Sequence, residues 1–517
     1  MIRFILNLIT RILFNRRWTL PEFIIRPPRL LHEAGLVMST VFVGRQGAGK
    51  TYALALELLE QIKRHPEQSF FIFDWSGGLI NTLYRLVLSD QQKEEIMPRL
   101  VYDAMGGRAI KGETYVMPMP EFSKEYDPEK SWIERVEDQA DRVQRTFEAL
   151  NPNLVELNPT LGGRPIKSLL PNLLHLANAV VDEQGDSWQI TEATKLLNID
   201  VRKRALFEFG QKVGKALDYF KNSFTGVEKL DKELAHALAD VLDVIKSKRI
   251  RARVGYSKAG WSPSEAIAKG LIIACDGSGL NNNHMQKDYA YLQLFHLVLD
   301  EINKRPPSVA GYHPINWVMD EVYTFTETPS VARILAHLPS EYRSRKLQLY
   351  LVLQSLKQLA GEENGKKGLE DVFFSFGNMS VFSLLDIDDC FSVVKNFFPF
   401  EPNTVKVPAR TEGQHDIMEN RDEQLAVRAY QLQHLSQREC YLRRFIDEAR
   451  MDRIIHVGRT KEVRMTATQA EVEKLKDKLV LKRGVPVRLA EEKINERKIS
   501  LQKKSQESGK RRKPDSV

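Results

Sequence analysis

The chain has 517 residues, of which 42% are hydrophobic and 28% charged, and its formal net charge is +8. This length and composition exclude an intrinsically disordered chain and allow roughly two to four domains, each with its own hydrophobic core. The three cysteines, Cys275, Cys390 and Cys440, are far apart in the sequence and form no CxxC pair. This usage argues against a disulfide framework or a zinc site and favours a reducing, cytoplasmic location.

The positive charge is concentrated at the two ends of the chain. Residues 1–30 and residues 488–517 each carry a net charge of +5, which leaves residues 31–487 with a net charge of −2. This distribution excludes a uniformly basic body of the kind that coats nucleic acid. Any grip on a phosphate backbone is therefore expected from a local patch, a pore or the two ends.

The N-terminal segment, residues 1–30, begins with an apolar run from Met1 to Phe14. No run in the chain approaches the ~20 apolar residues that a membrane-spanning helix needs. Four polar residues interrupt the run at helical spacing, so residues 1–17 are predicted to form an amphipathic helix. It could lie at the inner face of the cell membrane, as a peripheral contact, or dock on a neighbouring domain or subunit, and both alternatives stay open.

The next pattern is that of an α/β protein. A β-rich run at Ser39–Val43 leads into a glycine-rich loop and an apolar helical run, and a strand-like block at Phe70–Phe73 ends at Asp74. Strand, loop, helix and strand in this order open a mostly parallel sheet. We predict a discontinuous α/β domain formed by residues 31–105 and 266–460.

An all-helical domain is predicted between the two parts, at residues 106–265. Apolar residues recur there at spacings of three and four, with few β-rich runs. Strand signals return at Leu271–Cys275, Ile315–Met319 and Gln348–Leu353, and more weakly at Met379–Leu384. Residues 461–517 are rich in Lys and Glu and are predicted to form a charged, basic tail, helical at first and then disordered.

The glycine-rich loop Gly44–Thr51 matches the P-loop (Walker A) pattern GxxxxGK[ST] in full. Its glycines let successive backbone N–H groups point at phosphate oxygens. Lys50 is placed to reach the β- and γ-phosphates, and the Thr51 hydroxyl to bind Mg²⁺. The residues predicted to bind the cofactor ATP are Gly44, Gln46, Gly47, Ala48, Gly49, Lys50 and Thr51.

A second element fits the catalytic half of such a site. The apolar run Ile315–Met319 ends in Asp320 and Glu321. In the Walker B role, Asp320 would hold Mg²⁺ directly or through water, and Glu321 would polarise the attacking water. A glutamate beside the aspartate favours hydrolysis over transfer to another substrate.

Two further candidates flank the strand that follows. Gln354, at the tip of the run Gln348–Leu353, is placed to sense the γ-phosphate. Arg343 or Arg345, before the same run, could act as an arginine finger on the nucleotide of a neighbouring subunit. The predicted catalytic residues are thus Lys50, Glu321, Gln354 and Arg345.

The segment Leu351–Leu359, LVLQSLKQL, resembles the "aiQSlaQL" signature of type IV secretion coupling proteins. These conjugative proteins, of the TraG/TraD type, belong to the HerA/FtsK superfamily of DNA-pumping ATPases. Further segments agree in order, namely Phe71–Asp74, Gly270–Ile273 and Phe376–Asn378. The resemblance covers residues 35–460 and implies a RecA-like P-loop ATPase fold with an inserted helical domain.

The resemblance also implies a function. Subunits of this superfamily form hexameric rings with ATP at the interfaces and DNA in the pore, so a net-negative body could still bind DNA. We therefore expect an ATP-hydrolysing DNA translocase in conjugative or mobile-element transfer, with secretion or relaxosome proteins as further partners. The alternatives are a secretion-system energy ATPase that acts on protein and a nucleotide-gated scaffold with little hydrolysis.

Two features differ from the family pattern. Trp75-Ser76-Gly77 stands where the family commonly has Pro-Lys-Gly, so no role is carried over for that lysine. Coupling proteins commonly carry N-terminal transmembrane helices, whereas this chain begins with an amphipathic segment.

Overall fold

The protein is described by a computed structural model. It describes residues 22–23, 39–150, 166–181, 186–223, 242–280, 284–307, 311–322, 341–356, 376–398, 405–407, 417–418, 420–443, 445–447, 450–451 and 456–497, with a few positions between 331 and 338. The predicted amphipathic helix (1–17) and the basic end of the chain (498–517) lie outside these residues.

The strands are β1 (Glu22–Phe23), β2 (Thr40–Val43), β3 (Ser69–Asp74), β4 (Leu100–Ala104), β5 (Arg108–Ile110), β6 (Glu113–Val116), β7 (Ile272–Asp276), β8 (Ile315–Met319), β9 (Leu347–Leu353), β10 (Asn378–Phe382), β11 (Val405–Val407), β12 (Ile417–Met418), β13 (Glu439–Arg443), β14 (Phe445–Asp447), β15 (Arg450–Met451), β16 (His456–Thr460) and β17 (Val485–Pro486). The α-helices are α1 (Lys50–Arg64), α2 (Gly78–Ser89), α3 (Lys93–Ile96), α4 (Trp132–Leu150), α5 (Ile166–Ala179), α6 (Ile190–Ala193), α7 (Ile199–Phe209), α8 (Gly214–Asp218), α9 (Lys248–Gly255), α10 (Pro263–Ala268), α11 (His284–Asn303), α12 (Ile387–Phe397), α13 (Arg421–Gln433) and α14 (Gln469–Arg483), followed by α15 over 487–497.

A ten-stranded sheet organises the described part of the chain, in the order β1-β16-β13-β10-β2-β9-β8-β3-β7-β4. The seven strands from β10 to β4 run parallel, whereas β13 pairs antiparallel with both β10 and β16. Strand β9 lies between the strand that leads into the glycine loop (β2) and the strand that ends at the acidic pair (β8). This is the arrangement of a RecA-like P-loop ATPase, so the predicted fold class is confirmed.

Helices cover both faces of the sheet, which explains why its central strands are continuous apolar runs. On one face, α1, α2 and α14 pack on side chains such as Phe42, Ile72 and Tyr350. On the other face, α11, α12, α13 and the helices between β6 and β7 pack on side chains such as Phe73 and Trp317. Because the seven strands from β10 to β4 run parallel, their carboxyl ends all lie at one edge of the sheet. Ligands bind at that edge in sheets of this kind.

The helices α4–α10 lie between β6 and β7, in the stretch predicted as a helical insert. The predicted boundary at 106 follows β4, and residues 108–116 form the hairpin β5–β6 before the helices begin. The helical stretch shares its apolar core with the sheet, since Phe147, Leu173 and Trp188 belong to the same buried cluster as Phe73 and Trp317. It therefore packs on the sheet as a layer of the same body.

A buried ion pair joins this layer to the sheet. Arg253, on α9, donates to both carboxylate oxygens of Asp103, on β4, at 2.5 and 2.9 Å, and neither side chain is exposed to solvent. Trp261 Nε1 donates to the same carboxylate at 3.3 Å, and Arg253 also donates to the carbonyl of Met117 at 3.2 Å. Both oxygens of the buried carboxylate and both terminal nitrogens of the guanidinium are thus hydrogen-bonded, which offsets the cost of burying the two charges.

Residues 461–497 are folded onto the body, which differs from the tail expected from residue 461 onward. In α14, the side chains of Val472, Leu475, Leu479 and Val480 are buried against the sheet, and β17 pairs with β6. The four apolar residues form one stripe on a helix that is otherwise rich in Lys and Glu. The abundance of charge concealed this stripe in the sequence.

Candidate active site

The glycine loop lies at the carboxyl edge of the sheet, between β2 and α1. Two of its glycines are required by close contacts. A Cβ on Gly44 would lie 2.6 Å from the Cβ of Phe382 on β10. Gly49 has a φ of +105°, and a Cβ there would lie 3.0–3.3 Å from Arg438. The loop is therefore held between β10 and the turn before β13, and only glycine fits at these two places.

Lys50 is the first residue of α1 and lies across the loop that precedes it. Its Nζ donates to the carbonyl oxygens of Gly44 at 2.5 Å and Arg45 at 3.0 Å. Burial lowers the pKa of Lys50 to about 8, while the charges of Asp320 and Glu321 act in the opposite direction. A buried ammonium group held at the mouth of a glycine loop is suited to bind phosphate oxygens.

The acidic pair follows β8 at the same edge of the sheet. The backbone N–H of Asp320 donates to the carbonyl of Phe73 at 2.9 Å, which fixes the aspartate beside β3. Burial raises the pKa of Asp320 to about 8, the charges of Asp74 and Glu321 add to this shift, and the charge of Lys50 opposes it. Glu321 has a φ of +57°, a left-handed conformation that is unusual for a residue other than glycine.

These residues line one cavity of about 400 Å³. The sequence-predicted residues that it brings together are Gln46, Gly47, Gly49, Lys50, Thr51, Asp320, Glu321 and Gln354. Gly44 and Ala48 belong to the same loop without lining the cavity. Phosphate-binding backbone, a buried cation and two carboxylates therefore meet at one place, which is the chemistry that a metal–nucleoside triphosphate requires.

Arg345 lies elsewhere. It precedes β9, whereas Gln354 follows that strand, and seven residues of strand span about 20 Å. Its guanidinium donates to the backbone carbonyls of Asn303 and Arg305 at the end of α11. Arg343, in the same turn, is exposed. Neither arginine lines the cavity of its own chain, so a finger role rests on a neighbouring subunit and stays a prediction.

Six further residues line the cavity that the sequence analysis did not assign to the site, namely Tyr52, Ser76, Thr82, Val352, Gln437 and Met465. Tyr52 follows the P-loop pattern directly, so its proximity could have been inferred from position alone. Ser76 and Thr82 come from the segment after β3. Gln437 and Met465 come from the C-terminal part of the chain, where no sequence motif predicts a role in the site.

Residues Trp75–Gly77, which differ from the Pro-Lys-Gly of the family pattern, form the turn between β3 and α2. The carboxylate of Asp74 accepts hydrogen bonds from the N–H groups of Gly77 and Ile80, both at 2.8 Å, and so caps the start of α2. Lys287, from α11, lies 4.1 Å from the centre of the Trp75 ring and donates to the Trp75 carbonyl at 2.7 Å. A lysine thus reaches this turn from another element of the fold.

Comparison with known proteins finds likenesses among solved structures, all at low sequence identity. No protein-family model matches the sequence, and no curated protein matches it. Among solved structures, the bacterial conjugative coupling protein TrwBdeltaN70 has a TM-score of 0.49 at 14% identity, over 83% of this chain and 86% of that one. VirB4 of Thermoanaerobacter pseudethanolicus has a TM-score of 0.47 at 11% identity, over 82% of this chain and 89% of that one.

A third structure is the plasmid coupling protein TrwB in complex with ADP and Mg²⁺, with a TM-score of 0.47 at 14% identity over 83% of this chain and 87% of that one. The coupling proteins among these neighbours are of the class that the segment Leu351–Leu359 resembles. At such low identity the fold assignment rests on the strand order of the sheet and on the position of the glycine loop within it.

Proposed function

We propose that the protein is an ATP-hydrolysing motor that moves DNA through a homo-oligomeric ring, most simply a hexamer. The observation that carries the catalytic part is the single cavity in which Lys50, Thr51, Asp320, Glu321 and Gln354 meet. The DNA and ring parts are supported by the resemblance of the segment Leu351–Leu359 to the coupling-protein signature.

The residues of the cavity fit MgATP. Mg²⁺ is bound in nucleotide sites by one or two protein oxygen ligands together with phosphates and water, and Thr51 and Asp320 offer such oxygens. Among the described residues, no cluster of three His, Cys, Asp or Glu side chains forms a metal cage made by protein alone. The raised pKa of Asp320, caused by burial beside Asp74 and Glu321, also favours a neutralising cation at this place.

Each residue then has a distinct task. Lys50 exchanges the carbonyls of Gly44 and Arg45 for phosphate oxygens of ATP. Glu321 orients the attacking water and accepts its proton, while Gln354 contacts the γ-phosphate from the neighbouring strand. Bound Mg²⁺ supplies neutralisation of the charge that develops on the phosphate oxygens.

An exposed apolar surface supports self-association. We call it the α12–α13 face, and it consists of Leu385, Ile387, Phe391, Val427 and Tyr430, of which Leu385 is 70% and Tyr430 61% exposed. It adjoins the glycine loop, because the N–H of Arg45 donates to the carbonyl of Ser383 at 2.8 Å. Apolar patches of this kind mark protein interfaces.

Changing Leu385 or Tyr430 to Asp is therefore expected to shift the protein from oligomer to monomer at micromolar concentration, because a buried carboxylate destabilises an apolar interface. Sedimentation velocity measures this shift. Phe207→Asp, at a site that is 84% exposed on α7, is the matched control and should leave the oligomer intact. An unchanged oligomer in both face variants would show that the rings assemble through another surface.

The DNA part is tested by measuring phosphate release with and without DNA. We expect several-fold stimulation, and a DNA affinity that falls by about 10³-fold between about 50 and 200 mM salt if six or more phosphates are contacted. A chain that ends at residue 497 is the control, because it retains every described residue but lacks the basic end. Stimulation that survives this truncation shows that the basic C-terminal end is not required for the grip on DNA.

Turnover that ignores DNA, with no DNA binding at low salt, would contradict the proposal. Stimulation by a secretion partner protein instead would favour an energy ATPase that acts on protein. ATP binding without phosphate release would indicate a nucleotide-gated scaffold. In the described part of the chain, no helix is long and apolar enough to cross a membrane, and a membrane contact through residues 1–17 stays a prediction.

A further inference from the structure

The cavity has two ends, and only one of them is occupied by the catalytic residues. Asp320 and Glu321 follow β8, on one side of β2, whereas Gln437 lies in the turn before β13, on the other side. The γ-phosphate must face the acidic pair, because the metal and the attacking water act there. The nucleoside of a triphosphate whose middle rests on the glycine loop therefore extends toward Gln437.

A second wall of the cavity comes from residues 461–467, which we call the C-terminal strap and of which Met465 lines the cavity. Its backbone is fixed at both ends. The N–H of Val463 donates to the hydroxyl of Tyr52 on α1 at 2.8 Å, and the N–H groups of Thr466 and Ala467 donate to the hydroxyl of Ser89 on α2, both at 3.0 Å.

A fourth hydrogen bond, from Nε of Arg85 to the carbonyl of Ala467 at 3.3 Å, completes the attachment of the strap to α2. Met465 lies between these attachments, is half-buried, and lines the cavity together with Tyr52. The Tyr52 hydroxyl accepts the hydrogen bond from Val463, and this bond holds the tyrosine ring in one orientation. The strap therefore holds Met465 at the cavity, beside Tyr52.

The turn on the opposite side is equally fixed to the glycine loop. The N–H of Arg438 donates to the carbonyl of Ala48 at 2.8 Å, and the N–H of Thr460 donates to the carbonyl of Arg438 at 2.8 Å. Gln437 precedes this anchor and has an exposed side chain that lines the cavity. The two walls thus belong to one connected structure, in which the strap follows β16 directly.

We infer that the C-terminal strap and the turn before β13 form the nucleobase site, in which Met465 and Tyr52 contact the faces of a purine and Gln437 its polar edge. A flat aromatic base fits a polarisable thioether and a tyrosine ring. The Gln437 amide carries both donors and an acceptor and can turn, so it suits the edge of adenine or of guanine. Discrimination between ATP and GTP is accordingly small, within about tenfold.

This inference rests on the proposed nucleotide site but not on hydrolysis, and binding measurements test it. For Met465→Ala, we expect the Kd for ATP to rise about tenfold, equivalent to 1.4 kcal/mol of binding, while the Kd for inorganic tripolyphosphate stays within about twofold. Tripolyphosphate has the phosphates without the base, so it separates a base contact from damage to the glycine loop. Met465→Leu, which keeps an apolar side chain, should restore ATP binding.

Leu481→Ala is the matched control, since Leu481 is 50% exposed on α14, outside the cavity, and should change neither Kd. Gln437→Ala should raise the Kd for ATP and the Kd for GTP to a similar extent, because its amide suits the edge of either base. Equal loss of ATP and tripolyphosphate affinity in Met465→Ala, or no loss of either, would overturn the inference. A wild-type protein that binds ATP in this pattern but releases no phosphate would refute the proposed motor and leave the base site standing.

Discussion

Changing Glu321 to Gln is expected to lower the rate of ATP hydrolysis by about 10²–10⁴-fold, the usual contribution of a general base. The amide keeps the size of the carboxylate and the left-handed backbone at this position, but it cannot accept the proton of the attacking water. ATP binding should persist, because the phosphates are held by the glycine loop and Lys50. Phosphate release at saturating ATP, together with the Kd for ATP, measures the two effects separately.

Two variants make this result specific. Lys50→Ala should weaken ATP binding as well as hydrolysis, because Lys50 is buried at the loop and no other lysine or arginine lines the described cavity. Glu94→Gln, the same chemical change at an exposed position on α3, should alter neither. Full activity of the Glu321 variant would assign the base to another group, and loss of ATP binding would assign Glu321 to binding instead.

The parts of the site that could be predicted are those in which one chemical task dictates several neighbouring residues. A loop that wraps a phosphate needs glycines at set places, and Gly44 and Gly49 are indeed required by contacts with Phe382 and Arg438. The acidic pair after Ile315–Met319 was predictable for a related reason. Parallel strands end at a common edge, so residues that follow different strands meet there.

The parts that escaped prediction depend on contacts between distant segments. Met465 and Gln437 reach the cavity only because β13 and β16 extend the sheet beyond β10 and the strap crosses α1 and α2. No local pattern encodes this path. Lys476 shows the same difficulty, because its ammonium group lies 3.3 Å from the Asp276 carboxylate in a buried pair, although its sequence neighbours suggested a solvated helix.

The inserted helices illustrate a third case, in which the elements were predictable but their attachment was not. The spacing of apolar residues indicated helices, yet nothing near Arg253 in the sequence points to Asp103, 150 positions away. The contact arises because β4 lies at the edge of the sheet, beneath α9. Burial then makes the pairing obligatory, since neither charge can reach water.

Breaking the ion pair between Arg253 and Asp103 is expected to have the second large effect, on the stability of the protein. Arg253→Met is expected to reduce the free energy of unfolding by about 3–5 kcal/mol, because it leaves the carboxylate of Asp103 buried with Trp261 as its remaining side-chain donor. Chemical denaturation followed by near-ultraviolet circular dichroism measures the loss. The control is Arg251→Met on the same helix, α9, which removes a partly exposed ion pair with Glu491 on α15 and should cost about 1 kcal/mol or less.

The double variant Asp103→Leu, Arg253→Met distinguishes stability from specificity. Replacing both partners of a buried pair with apolar side chains is often neutral, so we expect it to recover most of the stability that Arg253→Met loses. If it does, the ion pair serves mainly to fix the position of α9 on β4. Any other position would leave Arg253 or Asp103 buried without its partner, at a large cost in free energy. A double variant as unstable as the single one would instead assign the loss to the packing of the long arginine side chain, which is fully buried.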